Sequence, residues 1–133
     1  MLKDIHHVAL VVKSIDESLP FFEKALGLKG GEVVTMPEQG VKAVLLPMGQ
    51  SEIELIEPID ENSGVGKFLA NKGEGIHHIC LEVDDVDREL VELGERGVQA
   101  IDKQGRKGLA GKVAFLHPKS TQGVLIELAQ KQH

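Results

Sequence analysis

Only one cysteine, Cys80, stands in the 133 residues, so no disulfide can close within the chain, and a lone thiol fits a reducing compartment. No apolar run approaches the roughly 18–20 residues that a membrane-spanning helix needs. The apolar N-terminal stretch Val8–Val12 follows Lys3, Asp4, His6 and His7 and carries no cleavage signal, so no targeting segment is expected. Positive charge is also short. The 15 Lys and Arg against 21 Asp and Glu give a net charge of −6, which leaves no basic face to dominate and argues against a nucleic-acid partner. What is present is ordinary globular composition, 41% hydrophobic and 27% charged, at a length that fits one compact domain with its own core. These features predict a single cytoplasmic domain without membrane or nucleic-acid partners.

The chain repeats itself. Residues 5–19, IHHVALVVKSIDESL, match residues 76–90, IHHICLEVDDVDREL, at the isoleucine, both histidines and the following aliphatic positions. The apolar positions Ile15, Leu19 and Phe22 recur as Val86, Leu90 and Leu93, each set with the i, i+4, i+7 spacing of a helix's buried stripe. Ser14 with Glu17 forms a capping-box start, and Asp84 or Asp85 can cap the second copy. Pro20 falls early in the first helix, where a missing N–H costs less than deeper in. Gly27 and Gly97 suit the helix C-termini.

Strand-like segments follow each helix: near 31–36, 41–48 and 51–57, then near 98–102, 112–117 and 123–129, separated by Gly- and Pro-containing turns. Each half therefore reads strand–helix–strand–strand–strand. Module 1 covers about 1–58 and module 2 about 74–133, with a glycine-rich connection that can carry a short helix around Val65–Asn71. A half of this kind exposes one apolar sheet face until its twin covers it, which predicts an α+β domain of two βαβββ modules in a mixed, barrel-like sheet.

The repeat keeps polar residues inside apolar strands. Alternation puts Ile5, His7, Ala9 and Val11 on one face and His6, Val8, Leu10 and Val12 on the other. The closing strands match too, since Ile53-Glu54-Leu55 and Ile126-Glu127-Leu128 each set a carboxylate between aliphatics. A lone strand histidine is usually a packed or hydrogen-bonded residue, and a lone strand glutamate usually faces solvent. Duplication of both changes that reading, because a buried carboxylate costs several kcal/mol unless paired or bound to metal. Two imidazoles and two carboxylates balance a divalent cation, and N/O donors without sulfur suit Zn, Co, Ni or Mn. The second histidine of each pair, His7 and His78, is read as the ligand, a choice that periodicity alone does not force. His6 and His77 then become packing residues, and Cys80 a small buried hydrophobe.

These residues resemble the vicinal oxygen chelate (glyoxalase/bleomycin resistance) superfamily, and within it the methylmalonyl-CoA epimerases. The similarity runs nearly the whole length through IHHVALVV, FFEKALGL, PEQGVK, IELIEPI, GIHHICLEVDDVD and FLHPKSTQGVLIEL. The resemblance implies metal ligands at His7, Glu54, His78 and Glu127, a homodimer, and interconversion of (2R)- and (2S)-methylmalonyl-CoA through a metal-stabilised enolate. Reprotonation from the opposite face calls for two acid/base groups. Some epimerases carry a glutamate proposed as one base where this chain has Ala43. Glu127 is read as one base, with Glu38, Lys42 and Glu57 as nearby alternatives.

A coenzyme A thioester carries phosphates, and Lys103, Arg106, Lys107 and Lys112 crowd one short glycine-containing stretch. Lys107 and Lys119 are read as substrate contacts, with Ser120 and Thr121 as candidate partners of the substrate carboxylate; a solvated hairpin is the bland alternative. Two other activities share the pattern. A glyoxalase I-type lyase uses a similar ligand set on a glutathione hemithioacetal. A non-catalytic binder of the same fold often lacks the ligands.

Overall fold

The computed structural model describes residues 2–109 and 111–130, so Met1, Ala110 and residues 131–133 of the two expected modules lie outside it. The chain runs β1 (Leu2–Val11), α1 (Ile15–Pro20), β2 (Val34–Met36), β3 (Val41–Met48), β4 (Ser51–Pro58), α2 (Gly64–Lys72), β5 (Gly75–Val83), α3 (Val86–Glu95), β6 (Arg106–Gly108), β7 (Gly111–Leu116) and β8 (Ile126–Gln130). The strands follow the order β2-β3-β4-β1 in the first repeat and β5-β8-β7-β6 in the second. This is the expected pair of βαβββ repeats. His7–His77 form one compact unit and the rest of the described chain another, the division falling within β1.

In the His7–His77 unit, β1 runs parallel to β4, which pairs antiparallel with β3, which pairs antiparallel with β2. Leu10, Val12, Val44, Leu46, Ile53 and Leu55 pack beneath Ile15, Leu19, Phe22 and Leu28, so the helical stripe read from the spacing is the buried one. Ser14 Oγ accepts the Glu17 N–H at 3.2 Å, and Glu57 Oε1 accepts the Ile15 N–H at 2.8 Å. Pro20 closes α1 rather than opening it, and the chain continues as a π-helical turn, Phe21–Ala25, sealed by the Leu26 N–H on the Phe21 carbonyl at 3.1 Å. Proline lacks the donor for the usual bond, and a wider turn accommodates that loss.

The other unit repeats the scheme. β5 runs parallel to β8, β8 antiparallel to β7, and β7 antiparallel to β6. Val86, Leu90 and Leu93 of α3 pack on Val83, Ala114, Leu116 and Leu128. Asp85 caps α3 by accepting the Arg88 N–H at 3.1 Å, while Gln130 Oε1 accepts the Val86 N–H at 2.9 Å. Gly97, at φ +85°, reverses the chain so that the Val98 N–H reaches the Leu93 carbonyl at 3.0 Å, a Schellman closure.

Two strand expectations are corrected. The segment expected as a strand near 31–36 pairs only over Val34–Met36. Residues 98–102 contribute one isolated bridge, Ala100 to Leu116, and the module's short strand is instead β6 in the basic stretch. The cause is Asp102: its Oδ2 accepts the Phe115 N–H at 2.7 Å, taking by side chain a bond that a neighbouring strand would otherwise make. The connecting helix α2 forms where expected, with Ser63 Oγ accepting the Gly66 N–H at 3.0 Å.

Candidate metal centre

Each unit builds one histidine–glutamate pair, and the two are built alike. In the first unit Glu54 is in register with Ala9, two residues along β1 from His7, so both side chains leave the same sheet face. His7 Nε2 lies 3.2 Å from Glu54 Oε1, and both residues are buried. In the second unit Glu127 is in register with Cys80, again two residues beyond the histidine, and His78 Nε2 lies 3.0 Å from Glu127 Oε1. These residues are also buried. Each carboxylate thus has an imidazole to offset its desolvation, and each imidazole aims its outer nitrogen at an oxygen.

The pairs have the chemistry a divalent ion requires. Neutral imidazole and carboxylate are the usual N/O donors, and atoms sharing one ion stand roughly 3–3.5 Å apart. The observed separations of 3.2 and 3.0 Å fit ligand atoms converging in this way, within each pair. The neighbouring histidines have other surroundings. His77 stacks edge-on against Phe68 of α2, with ring centroids 5.0 Å apart, and His6 is buried.

Ala43 is buried on β3, next but one to Leu45, which stands opposite Glu54 in the ladder. The alternative bases fall differently. Glu57 is committed to the start of α1 and has its other oxygen 3.6 Å from Lys42 Nζ. Glu38 is exposed in the Pro37–Gln39 turn.

Within the basic stretch, two of the four cations are tied down. Lys112 pairs with Asp87, which also accepts the Gly105 N–H at 2.7 Å. That N–H, then Lys112, hold the Asp87 carboxyl below the usual aspartate range, and Asp87 in turn raises Lys112. Arg106 Nε donates to Asp102 Oδ1 at 3.2 Å. Lys107 is exposed on β6 with Lys112 as its ladder partner, and Lys103 is exposed before it. In the turn before β8, the Lys119 N–H bonds His117 Nδ1 at 3.1 Å, and Ser120 Oγ accepts the Gln99 N–H at 2.9 Å. The Thr121 hydroxyl donates to the Val124 carbonyl. The Ser120 hydroxyl keeps its own proton to donate, whereas that of Thr121 is engaged within the turn.

One neighbour of the second pair escaped the sequence reading. Phe115 meets the His78 ring edge-on at a centroid distance of 5.3 Å. No local pattern signalled it, since the contact depends on the register of β7 against β8.

Residues 6–115 match the model of the Glyoxalase/Bleomycin resistance protein/Dioxygenase superfamily. The chain is 37% identical to the mitochondrial methylmalonyl-CoA epimerase of Homo sapiens over 128 residues, 95% of this chain and 73% of that protein. It is 35% identical to an ethylmalonyl-CoA/methylmalonyl-CoA epimerase of Cereibacter sphaeroides, covering 98% and 99% of the two chains. A solved methylmalonyl-CoA epimerase in complex with methylmalonyl-CoA and NH4+ superimposes with a TM-score of 0.93 at 34% identity, over 98% of this chain and 96% of that one.

Proposed function

We infer, from the premise that this chain belongs to the glyoxalase/bleomycin resistance protein/dioxygenase superfamily and is a near full-length relative of its methylmalonyl-CoA epimerases, that it interconverts (2R)- and (2S)-methylmalonyl-CoA. The observation that carries this is the His–Glu pair repeated in each unit, kept by a chain similar to methylmalonyl-CoA epimerases. A glyoxalase-type lyase could use the same donor types, but the near full-length relatives favour the epimerase. Retention of both pairs argues against a non-catalytic binder.

His7, Glu54, His78 and Glu127 are the proposed ligands of one divalent ion, with Co, Zn, Ni or Mn all compatible with the donors. When bound, such an ion supplies a Lewis acid that draws negative charge from the thioester carbonyl as the α-proton leaves. The chain's own task is to move that proton. The α-carbon of methylmalonyl-CoA lies between two carbonyl groups, which makes its hydrogen unusually acidic for carbon. Glu127 is the proposed base on one face, since its buried carboxylate lies beside the other ligand of its unit, Oε1 being 3.0 Å from His78 Nε2. Buried Ala43 offers no proton donor on the first unit's ligand face, so a different group must serve the second face. Glu57 is poorly suited, because its carboxylate is already spent on the first turn of α1.

The coenzyme A moiety is proposed to rest its phosphates on Lys107 and Lys119, whose side chains are exposed, with Ser120 and Thr121 near the substrate carboxylate. No helix among the described residues is long and apolar enough to cross a membrane. The family reading carries with it a homodimer, and the single cysteine fits a cytoplasmic enzyme. The test is direct: metal-reconstituted protein is incubated with one epimer of methylmalonyl-CoA in deuterated water. Inversion with α-deuterium incorporation supports the reading. Absence of exchange, together with turnover of the methylglyoxal–glutathione adduct, overturns it.

A further inference from the structure

The two units part company beside the ligand pair. Leu45 stands opposite Glu54 across the β3–β4 ladder, and Phe115 stands opposite Glu127 across β7–β8. One strand further out, Val34 faces Ala43 in the first unit while Arg106 faces Val113 in the second. The second unit therefore carries an aromatic ring and a guanidinium where the first carries aliphatics.

These substitutions form a connected set. The Phe115 ring lies 5.3 Å from the His78 ring at 86°, and the Arg106 guanidinium carbon lies 5.5 Å from the same Phe115 centroid. Arg106 Nε donates to Asp102 Oδ1 at 3.2 Å, and Asp102 Oδ2 accepts the Phe115 backbone N–H at 2.7 Å. One carboxylate thus holds both the strand that bears the ring and the cation lying over it. We propose that Asp102, Arg106 and Phe115 act as a brace that fixes the orientation of the His78 imidazole, making Phe115 a positioning residue for a metal ligand. An edge-on ring contact has a preferred geometry, which an aliphatic neighbour lacks, so it restrains rotation of the imidazole about its side-chain bonds. Hydrogen-bonding groups that orient a metal ligand alter affinity by about 10–100-fold when lost, and a ring contact serving the same end is expected at the low end of that range. This proposal rests on His78 being a ligand.

The test titrates metal-free protein with Co(II) against a chelating indicator and records the visible bands of bound Co(II). Phe115→Leu installs the residue found at the equivalent place in the first unit. It is expected to bind Co(II) about tenfold more weakly with altered bands, while the melting temperature of the metal-free protein stays near that of the unaltered chain. Arg106→Gln, a change at a half-exposed side chain, is expected to weaken binding in the same direction by less, with Arg106→Lys recovering part of the loss. Unchanged affinity and bands in folded Phe115→Leu overturn the brace. Should that variant not fold, unchanged binding in Arg106→Gln overturns it instead. Failure of the unaltered chain to take up any divalent ion overturns the ligand reading itself, and the brace with it.

Discussion

Glu57 Oε1 accepts the backbone N–H of Ile15 at 2.8 Å, and this contact turns a strand-end carboxylate into a second cap of the first helix, beside Ser14. Gln130 does the same for Val86 at 2.9 Å in the other unit, so a neutral amide suffices for the role. Glu57→Gln is expected to leave the thermal midpoint nearly unchanged, and Glu57→Ala to cost about 1 kcal/mol, the usual loss for a helix cap. Deuterium exchange into substrate should persist in folded Glu57→Gln. A large drop there would assign this carboxylate to proton transfer instead.

Glu127 carries the opposite expectation. Glu127→Gln keeps the shape but not the basicity, so exchange of the substrate α-hydrogen should fall by about 10²-fold or more. Metal content measured on the same sample separates a lost base from a lost ligand. Full exchange with full metal content would remove Glu127 from proton transfer.

Acid should loosen the basic stretch before it unfolds the core. The Gly105 N–H and Lys112 hold Asp87 below its ordinary value of 3.8 in the folded chain. A carboxyl with a depressed folded pKa contributes stability that is present above its unfolded value and is lost as pH falls through the folded one. Chemical shifts of the Gly105 amide should therefore show a transition below pH 3.8, absent in Asp87→Asn. A Gly105 amide indifferent to pH in that range would contradict the linkage.

The connecting helix α2 docks closely at one glycine. A Cβ on Gly66 would meet the Asp60 carbonyl oxygen at 2.6 Å and that of Glu61 at 2.7 Å. Both obstacles are backbone, so Gly66→Ala should destabilise by roughly 1–3 kcal/mol in chemical denaturation. Gly64, with nothing within 4 Å of its added Cβ, is the control. Gly64→Ala should be neutral or slightly stabilising, because it narrows the unfolded ensemble.

Much of this arrangement was readable from residues alone, and the exceptions have physical causes. Polar residues repeated inside apolar strands marked both His–Glu pairs, because burial makes an unpaired carboxylate too costly to repeat by chance. The helix stripes were readable because Ile15, Leu19 and Phe22, like Val86, Leu90 and Leu93, serve packing alone. The segment near 98–102 misled because Val98 and Ala100 pack against the α3 cluster while the pairing stops at the single Ala100–Leu116 bridge, where the Asp102 side chain takes the Phe115 N–H. β6 carried no signal, since Arg106, Lys107 and Gly108 show no apolar alternation. The contact of Phe115 with His78 depends on the register of β7 against β8, which no local pattern encodes.

The proposed joining of two pairs into one centre is tested most directly by counting metal. Elemental analysis of Co(II)-loaded, desalted protein should give one ion per chain. His7→Ala and His78→Ala should each remove most of it, although each substitution spares the other pair. Two ions per chain, or retention of half the metal after either substitution, would mean that the pairs act separately and would contradict a shared site.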